Sequence, residues 1–298
     1  MVSTSSRPCA PLDLLQLLSI ALIWGVNNIL VKVAVDALPA VMTAALRFLI
    51  VLVLLFAWLR PPPRHAWKTF ALMLLFVGPL HFGIQYVGLK LATDVTPMVV
   101  AMQLWAPASV VFASLLLREH VSGLRWAGVV LAFVGAASMN FDPVVLAQGW
   151  ALLLVATASA CYGFGTVLVR RIGGGLDPWA SQAWLALATA PTLSLVSLAF
   201  ESEHVEAAIA APWYIWMCVA FGAIGSSILA NALMFKLLQK YEVSRTTPYL
   251  LLAPVFSFTL AVLILGNRIT PQILLGAALT IGGVALVALA ERRFKALA

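Results

Sequence analysis

Ten apolar runs, each close to the twenty or so residues a helix needs to cross a bilayer, follow one another along this chain with little between them. With soft ends they cover 14–35, 39–59, 67–89, 97–117, 124–140, 150–169, 178–200, 213–237, 247–265 and 271–290. Hydrocarbon offers the backbone no hydrogen bonds, so a run of this length must close its own as a helix. The largest polar linkers are Arg60 to Arg64, with three prolines, and Glu201 to Glu206, so no soluble domain of useful size is expected outside the membrane. Only 10% of the 298 residues are charged and the mean hydropathy is +1.02, against about 25% charged residues in a soluble domain. The sequence predicts an all-α integral membrane protein of ten transmembrane helices.

Charge placement sets the orientation. Fourteen Lys and Arg residues fall on the side of the N-terminus, three (Lys32, Lys90 and Arg268) on the other, and Arg47 lies inside a helix. Positive loops stay cytoplasmic, which predicts both termini inside, as an even helix count requires. The net charge of +7 is spread over short loops with no basic patch, so it reads as topology and not as nucleic-acid binding. Cys9, Cys161 and Cys218 have no metal-ligand or disulfide spacing. The first apolar run is too long for a signal peptide and contains Asn27, Asn28 and Lys32, so it is expected as a retained first helix.

The chain repeats itself. At an offset of 138, Trp24, Gly25, Leu30, Val31 and Lys32 fall on Tyr162, Gly163, Leu168, Val169 and Arg170. At 139, Pro39 falls on Pro178; at 148, Asp94-Val95-Thr96 falls on Glu242-Val243-Ser244, and Gly128 and Gly135 fall on Gly276 and Gly283. The predicted halves, 1–143 and 144–298, each hold five helices, and an odd number forces them into opposite orientations. Inverted repeats of this kind build transporters whose site lies near the midplane and opens alternately to each side.

Trp24-Gly25 with Asn27 in the first helix, Pro39 followed by Arg47-Phe48 in the second, and Arg118-Glu119 closing the fourth before the glycine-bearing fifth resemble the drug/metabolite transporter superfamily, specifically its ten-helix EamA-type exporters. The resemblance covers nearly the whole chain. It implies export of small metabolites across a bacterial inner membrane, with the amino-acid exporters, including those for aromatic amino acids, the nearest match. One departure stands at the end of the ninth helix, where Gly266-Asn267-Arg268 replaces the usual acidic Asp-Glu-Arg or Gly-Glu-Arg.

No nucleophile, base or metal set is assembled within the runs, so an enzyme is not expected, nor any cofactor, metal or catalytic residue. No helix core contains Asp or Glu, which argues against an exporter of organic cations. Nucleotide-sugar carriers need cationic groups for phosphate, and Arg47 alone is thin. These drug and nucleotide-sugar carriers remain the alternative reading, with a membrane enzyme or lipid flippase behind them. Aromatic rings and neutral amides suit a net-neutral amino acid or similar metabolite.

Helical phase selects the candidates for such a site. Trp24 and Asn28 share a face, echoed by Tyr162 and Thr166; His81 and Gln85 share another. Trp105 and Tyr249 lie on the same face of equivalent helices, and Gln103, Asn231 and Trp184 complete the predicted substrate-binding set. Competing readings stay open at several of these. An interfacial belt accounts for Trp67, Trp150, Trp179 and Trp213 at helix ends, and less well for Trp24 and Trp105. His81 either bonds a backbone carbonyl across helices or handles substrate or protons. Gln103 and Asn231 either bind substrate or join helices. Arg47 is expected as a structural or gating brace, and Pro107 and Pro254 as mid-helix kinks. The glycines, Gly282 and Gly283 among them, are expected to permit close helix packing. The partners expected are the lipid bilayer and a small-molecule substrate, with oligomeric state open and a monomer sufficient.

Overall fold

A computed structural model describes residues 11–61, 66–117, 121–139, 142–172, 177–240, 250 and 252–297. In chain order the principal helices are α1 (Pro11–Ala37), α2 (Ala40–Trp58), α3 (Trp67–Leu91), α4 (Val95–Leu117), α5 (Gly123–Ser138), α6 (Gly149–Ile172), α7 (Pro178–Phe200), α8 (Trp213–Met234), α9 (Leu252–Leu265) and α10 (Pro271–Leu297). Among the described residues, α1 to α4 and α6 to α8 are long and apolar enough to cross a membrane, and α5, α9 and α10 carry shorter apolar stretches. The protein is thus an all-helical, multi-pass membrane protein. Short helices at Pro143–Leu146 and His204–Ala210 link the longer ones.

The helix starts explain several polar residues. Asp94 accepts from the Thr96 amide at 2.7 Å and Asp177 from the Trp179 amide at 3.0 Å, satisfying donors that a helix's first turn leaves open. Pro39 precedes α2 and has no side chain able to do this. The task falls to Glu201 beyond the end of α7, whose two carboxylate oxygens accept from the amides of Val41 (2.8 Å) and Met42 (2.9 Å). Asn267 donates to Asp94 at 2.6 Å. The position where the resemblance leads one to expect an acid therefore faces a carboxylate, and a neutral amide is the group that can bond it.

Packing between helices follows the sequence repeat. α5 and α10 meet through glycines: a Cβ on Gly128 would lie 2.8 Å from the Gly283 carbonyl oxygen, and one on Gly135 would lie 2.8 Å from that of Gly276. As the α5 number rises its α10 partner falls, so these two equivalent helices run antiparallel. Gly282, expected as a packing glycine, has nothing within 4 Å. It is adjacent to Gly283 in sequence but about 100° away around the helix, which removes it from the contact. α2 and α7, also equivalent, run antiparallel too, since Val41 meets Glu201 at one end and Trp58 meets Trp179 at the other.

Between the halves the contacts are exchanged. α1 lies mainly against α8 and α9, and α6 against α3 and α4. A Cβ on Gly25 would stand 2.6 Å from Phe256 Cβ and 3.0 Å from the Ala253 carbonyl oxygen. Its counterpart on Gly163 would stand 2.7 Å from the Trp105 carbonyl oxygen and 3.1 Å from Ala108 Cβ. Ala253 and Phe256 are Trp105 and Ala108 advanced by 148 positions, so the same close approach is made twice.

Several helices depart from regular α geometry among the described residues. α3 widens into a π-helical segment over Phe76–Leu80, which contains Pro79, and α8 does so over Gly222–Ala230. α4 is broken after Met102: the amide of Ala106 reaches the Gln103 carbonyl at 3.3 Å, and Trp105 begins the second segment. Pro107 has no N–H to offer the carbonyl four residues back, which is the physical reason for the break. Pro254, expected as a mid-helix kink, is the third residue of α9, and residues 241–249 and 251 lie outside the described residues.

Candidate functional site

Arg47 is the centre of the polar interior. It sits eight residues into α2 and is 5% exposed. Burying a guanidinium costs several kcal/mol unless its donors are matched, and three other helices, α1, α3 and α8, supply the partners. Nε donates to Ser227 Oγ (3.0 Å), Nη2 to Ser226 Oγ (3.3 Å), and Nη1 to the Tyr86 hydroxyl (2.9 Å) and to Asn27 Oδ1 (3.5 Å). The ring of Phe82 lies 5.3 Å and that of Phe48 5.9 Å from the guanidinium carbon, close enough for cation–π attraction. Every one of these partners is neutral. The ion pairs among the described residues are Lys32–Asp36 and Arg60–Asp177, both at helix ends, so Arg47 has no carboxylate partner there.

The wide turns of α8 make this arrangement possible. Successive residues of an α-helix do not share a face, yet Ser226 and Ser227 both reach one guanidinium. The π-helical segment closes the angle between them, the kind of irregularity that collects at functional sites. Gly222 in the same segment faces Asn27 and Arg47, where a Cβ would meet Asn27 Oδ1 at 3.3 Å.

From Arg47 a continuous line of rings crosses the molecule. Phe82 packs edge-on to His81 with ring centres 4.6 Å apart, His81 lies 4.9 Å from Tyr162, and Tyr162 stands perpendicular to Trp105 at 5.7 Å. The line runs from α3 through α6 to α4. His81 Nδ1 lies 2.8 Å from the Ala158 carbonyl oxygen on α6, the cross-helix bond that was one of its two readings. His81, Gln85, Gln103, Tyr162 and Asn231 are half-buried, and Trp105 is 39% exposed. Gln85 Oε1 is buried and receives no hydrogen bond among the described residues.

The other predicted residues fall into separate places. Asn28 donates to Ser257 Oγ at 3.1 Å, and Ser257 in turn donates to the Gly25 carbonyl, tying α1 to α9. Trp24 packs with Leu17, Ile20 and Met234, on the α1–α8 seam. Asn231 donates to the Ser227 carbonyl within its own helix. Tyr249 lies outside the described residues. Trp184 is set apart from the whole group: its indole N–H donates to the Arg60 carbonyl at 2.7 Å, and its ring packs edge-on against Trp67 and Phe70. It belongs to the seam beside the α2–α3 linker, where an indole spans an apolar ring contact and a polar backbone end. Arg47, expected as a structural or gating brace, joins α2 to α1, α3 and α8, and its partners Asn27, Phe82, Tyr86, Ser226 and Ser227 were absent from the predicted set. Gly225-Ser226-Ser227, a polar interruption of the eighth apolar run, was the signal that could have found two of them.

This fold and this interior define a membrane transporter of the drug/metabolite type. The model of the EamA-like transporter family matches residues 12–141 and again 149–289, and the chain belongs to that family. It is similar to a probable amino-acid metabolite efflux pump of Salmonella typhimurium, 25% identical over 277 residues that cover 90% of this chain and 91% of that one. A protein of the same description from Escherichia coli K12 is 24% identical, with 90% and 91% covered. The inner membrane transporter YedA of Escherichia coli K12 is 23% identical over 94% of this chain and 92% of its own. One solved crystal structure matches at a TM-score of 0.64 and 21% identity, covering 96% of this chain and all of that chain, and so shares the fold.

Proposed function

We propose that the protein exports amino acids, aromatic or other neutral ones, or similar small metabolites across the bacterial inner membrane. Transport proceeds by alternating access between two inverted five-helix halves, 1–143 and 144–298, ten helices in all with both termini in the cytoplasm. The observation that carries this reading is the line of rings from Phe82 through His81 and Tyr162 to Trp105, running from Arg47 and drawn from helices of both halves. It offers stacking surface to an apolar side chain and neutral amides to polar ends. The described Asp and Glu residues lie at helix ends or in linkers, away from mid-span, which suits a net-neutral substrate better than a cationic drug.

The two family matches, the antiparallel equivalent helices and the exchange of contacts between halves support the repeat. The excess of Lys and Arg on the N-terminal side supports the orientation. The bilayer and a small-molecule substrate are the partners this reading requires. Purified protein in liposomes loaded with a panel of labelled amino acids tests it. The expected result is efflux of at least one neutral amino acid, reduced by Trp105→Ala. A panel in which none moves overturns the reading.

A further inference from the structure

We propose that Arg47 anchors a carboxylate of the substrate, and that Gln85 receives its ammonium group. The proposal deepens the amino-acid reading above and rests on it. Arg47 is 5% exposed, with no anion among its partners in the described residues. A buried charge at membrane depth, with no carboxylate partner among the described residues and held by neutral groups from three other helices, marks a ligand or ion path more readily than a brace. A brace needs hydrogen bonds, and a neutral Gln would make some of them at far smaller desolvation cost; a planar fork is the group matched to a carboxylate.

The four bonds divide into two kinds. Those to Tyr86 (2.9 Å) and Ser227 (3.0 Å) are short and fix the plane of the guanidinium. Those to Ser226 (3.3 Å, from Nη2) and Asn27 (3.5 Å, from Nη1) are long, and they occupy one donor on each terminal nitrogen. A carboxylate entering end-on takes these two donors as a bidentate pair and leaves the short bonds in place. Ser226 lies in the second half and Asn27 in the first, so the exchange also loosens a contact that holds the halves together around Arg47. Gln85 lies one residue from Tyr86 and three from Phe82, and its buried Oε1 lacks a donor among the described residues. An ammonium group supplies one. The side chain of the substrate then lies along His81, Tyr162 and Trp105.

The test uses the full chain in proteoliposomes, with labelled phenylalanine as the transported probe and unlabelled phenylalanine or phenylalaninamide as competitors. The amide keeps the ring and the ammonium and lacks the carboxylate. In the wild type the acid is expected to compete about tenfold better than the amide, the scale of one lost charged hydrogen bond. In Arg47→Gln the ratio falls to about one, while Arg47→Lys, which keeps the charge, retains a preference for the acid. An Arg47→Gln protein that loses affinity for both equally, or that keeps the wild-type ratio, overturns the anchor. If Arg47→Gln does not fold, Ser226→Ala decides: freeing Nη2 lowers KM for phenylalanine a few-fold, and an unchanged or raised KM overturns the proposal. Wild-type liposomes that move no amino acid overturn the parent reading instead, so the two failures are told apart.

Discussion

The Tyr86 hydroxyl on α3 accepts a hydrogen bond of 2.9 Å from Arg47 Nη1 on α2, in an interior where Arg47 has no carboxylate partner among the described residues. Removing that acceptor leaves a buried guanidinium N–H unmatched. Tyr86→Phe is expected to destabilise the protein by about 1–3 kcal/mol, read as a lower Tm in detergent. An unchanged Tm shows that the hydroxyl contributes nothing there.

Two glycines one might treat alike should behave oppositely. A Cβ on Gly163 would lie 2.7 Å from the Trp105 backbone oxygen, and backbone cannot swing aside. Gly163→Ala therefore separates α6 from α4 at a cost of about 1–3 kcal/mol, and lowers transport by moving Trp105 off Tyr162. Gly282→Ala meets nothing within 4 Å and gains helix propensity, so its stability holds or rises by up to about 1 kcal/mol. Thermal unfolding of the pair checks both, and equal losses contradict the packing described.

Glu201 should matter to α2 although α7 precedes it in the chain. Its carboxylate holds the amides of Val41 and Met42 and accepts from Ser197 Oγ at 2.7 Å, with His204 Nε2 2.9 Å from the same hydroxyl. Glu201→Gln removes the charge that makes these bonds strong and turns one acceptor into a donor. The expected loss is about 1–3 kcal/mol, visible as faster amide exchange in the first turn of α2. Exchange confined to wild-type rates there rules out the cap.

Trp105 and Trp184 separate substrate contact from scaffolding. Trp105→Ala removes the ring that stands against Tyr162 and is expected to raise KM up to about tenfold, the scale of one aromatic pair. Trp184→Phe keeps the ring contacts with Trp67 and Phe70 but loses the bond to the Arg60 carbonyl. Its KM stays at the wild-type value while Tm falls modestly. A raised KM for Trp184→Phe places that residue back in the substrate path.

Asn267→Asp would bring a second carboxylate to within hydrogen-bond distance of Asp94, which now accepts from the amide at 2.6 Å. Like charges at that spacing repel by about 1 kcal/mol in water and by more beside a buried Asp94, and the exposed part of the effect should shrink in high salt. Tm measured at low and high ionic strength gives the difference. A loss independent of salt points to a steric cause.

The sequence by itself determined the membrane-spanning helices, because a run of twenty apolar residues has a single way to satisfy its backbone in hydrocarbon. It also carried the repeat, since Gly25 and Gly163, or Gly128 and Gly276, are small for the same reason in both copies. It brought out Trp105, Tyr162 and His81, because regular helical phase holds within each of their segments. Tertiary structure alone decided the rest. Ser226 and Ser227 reach different nitrogens of Arg47 from the π-helical part of α8, a departure from regular helical phase that the sequence does not announce. Glu201 caps a helix 160 residues away, and Trp184 turns to the Arg60 carbonyl instead of the interior. Such contacts depend on which helices lie side by side, and the spacing of residues along one chain does not contain that.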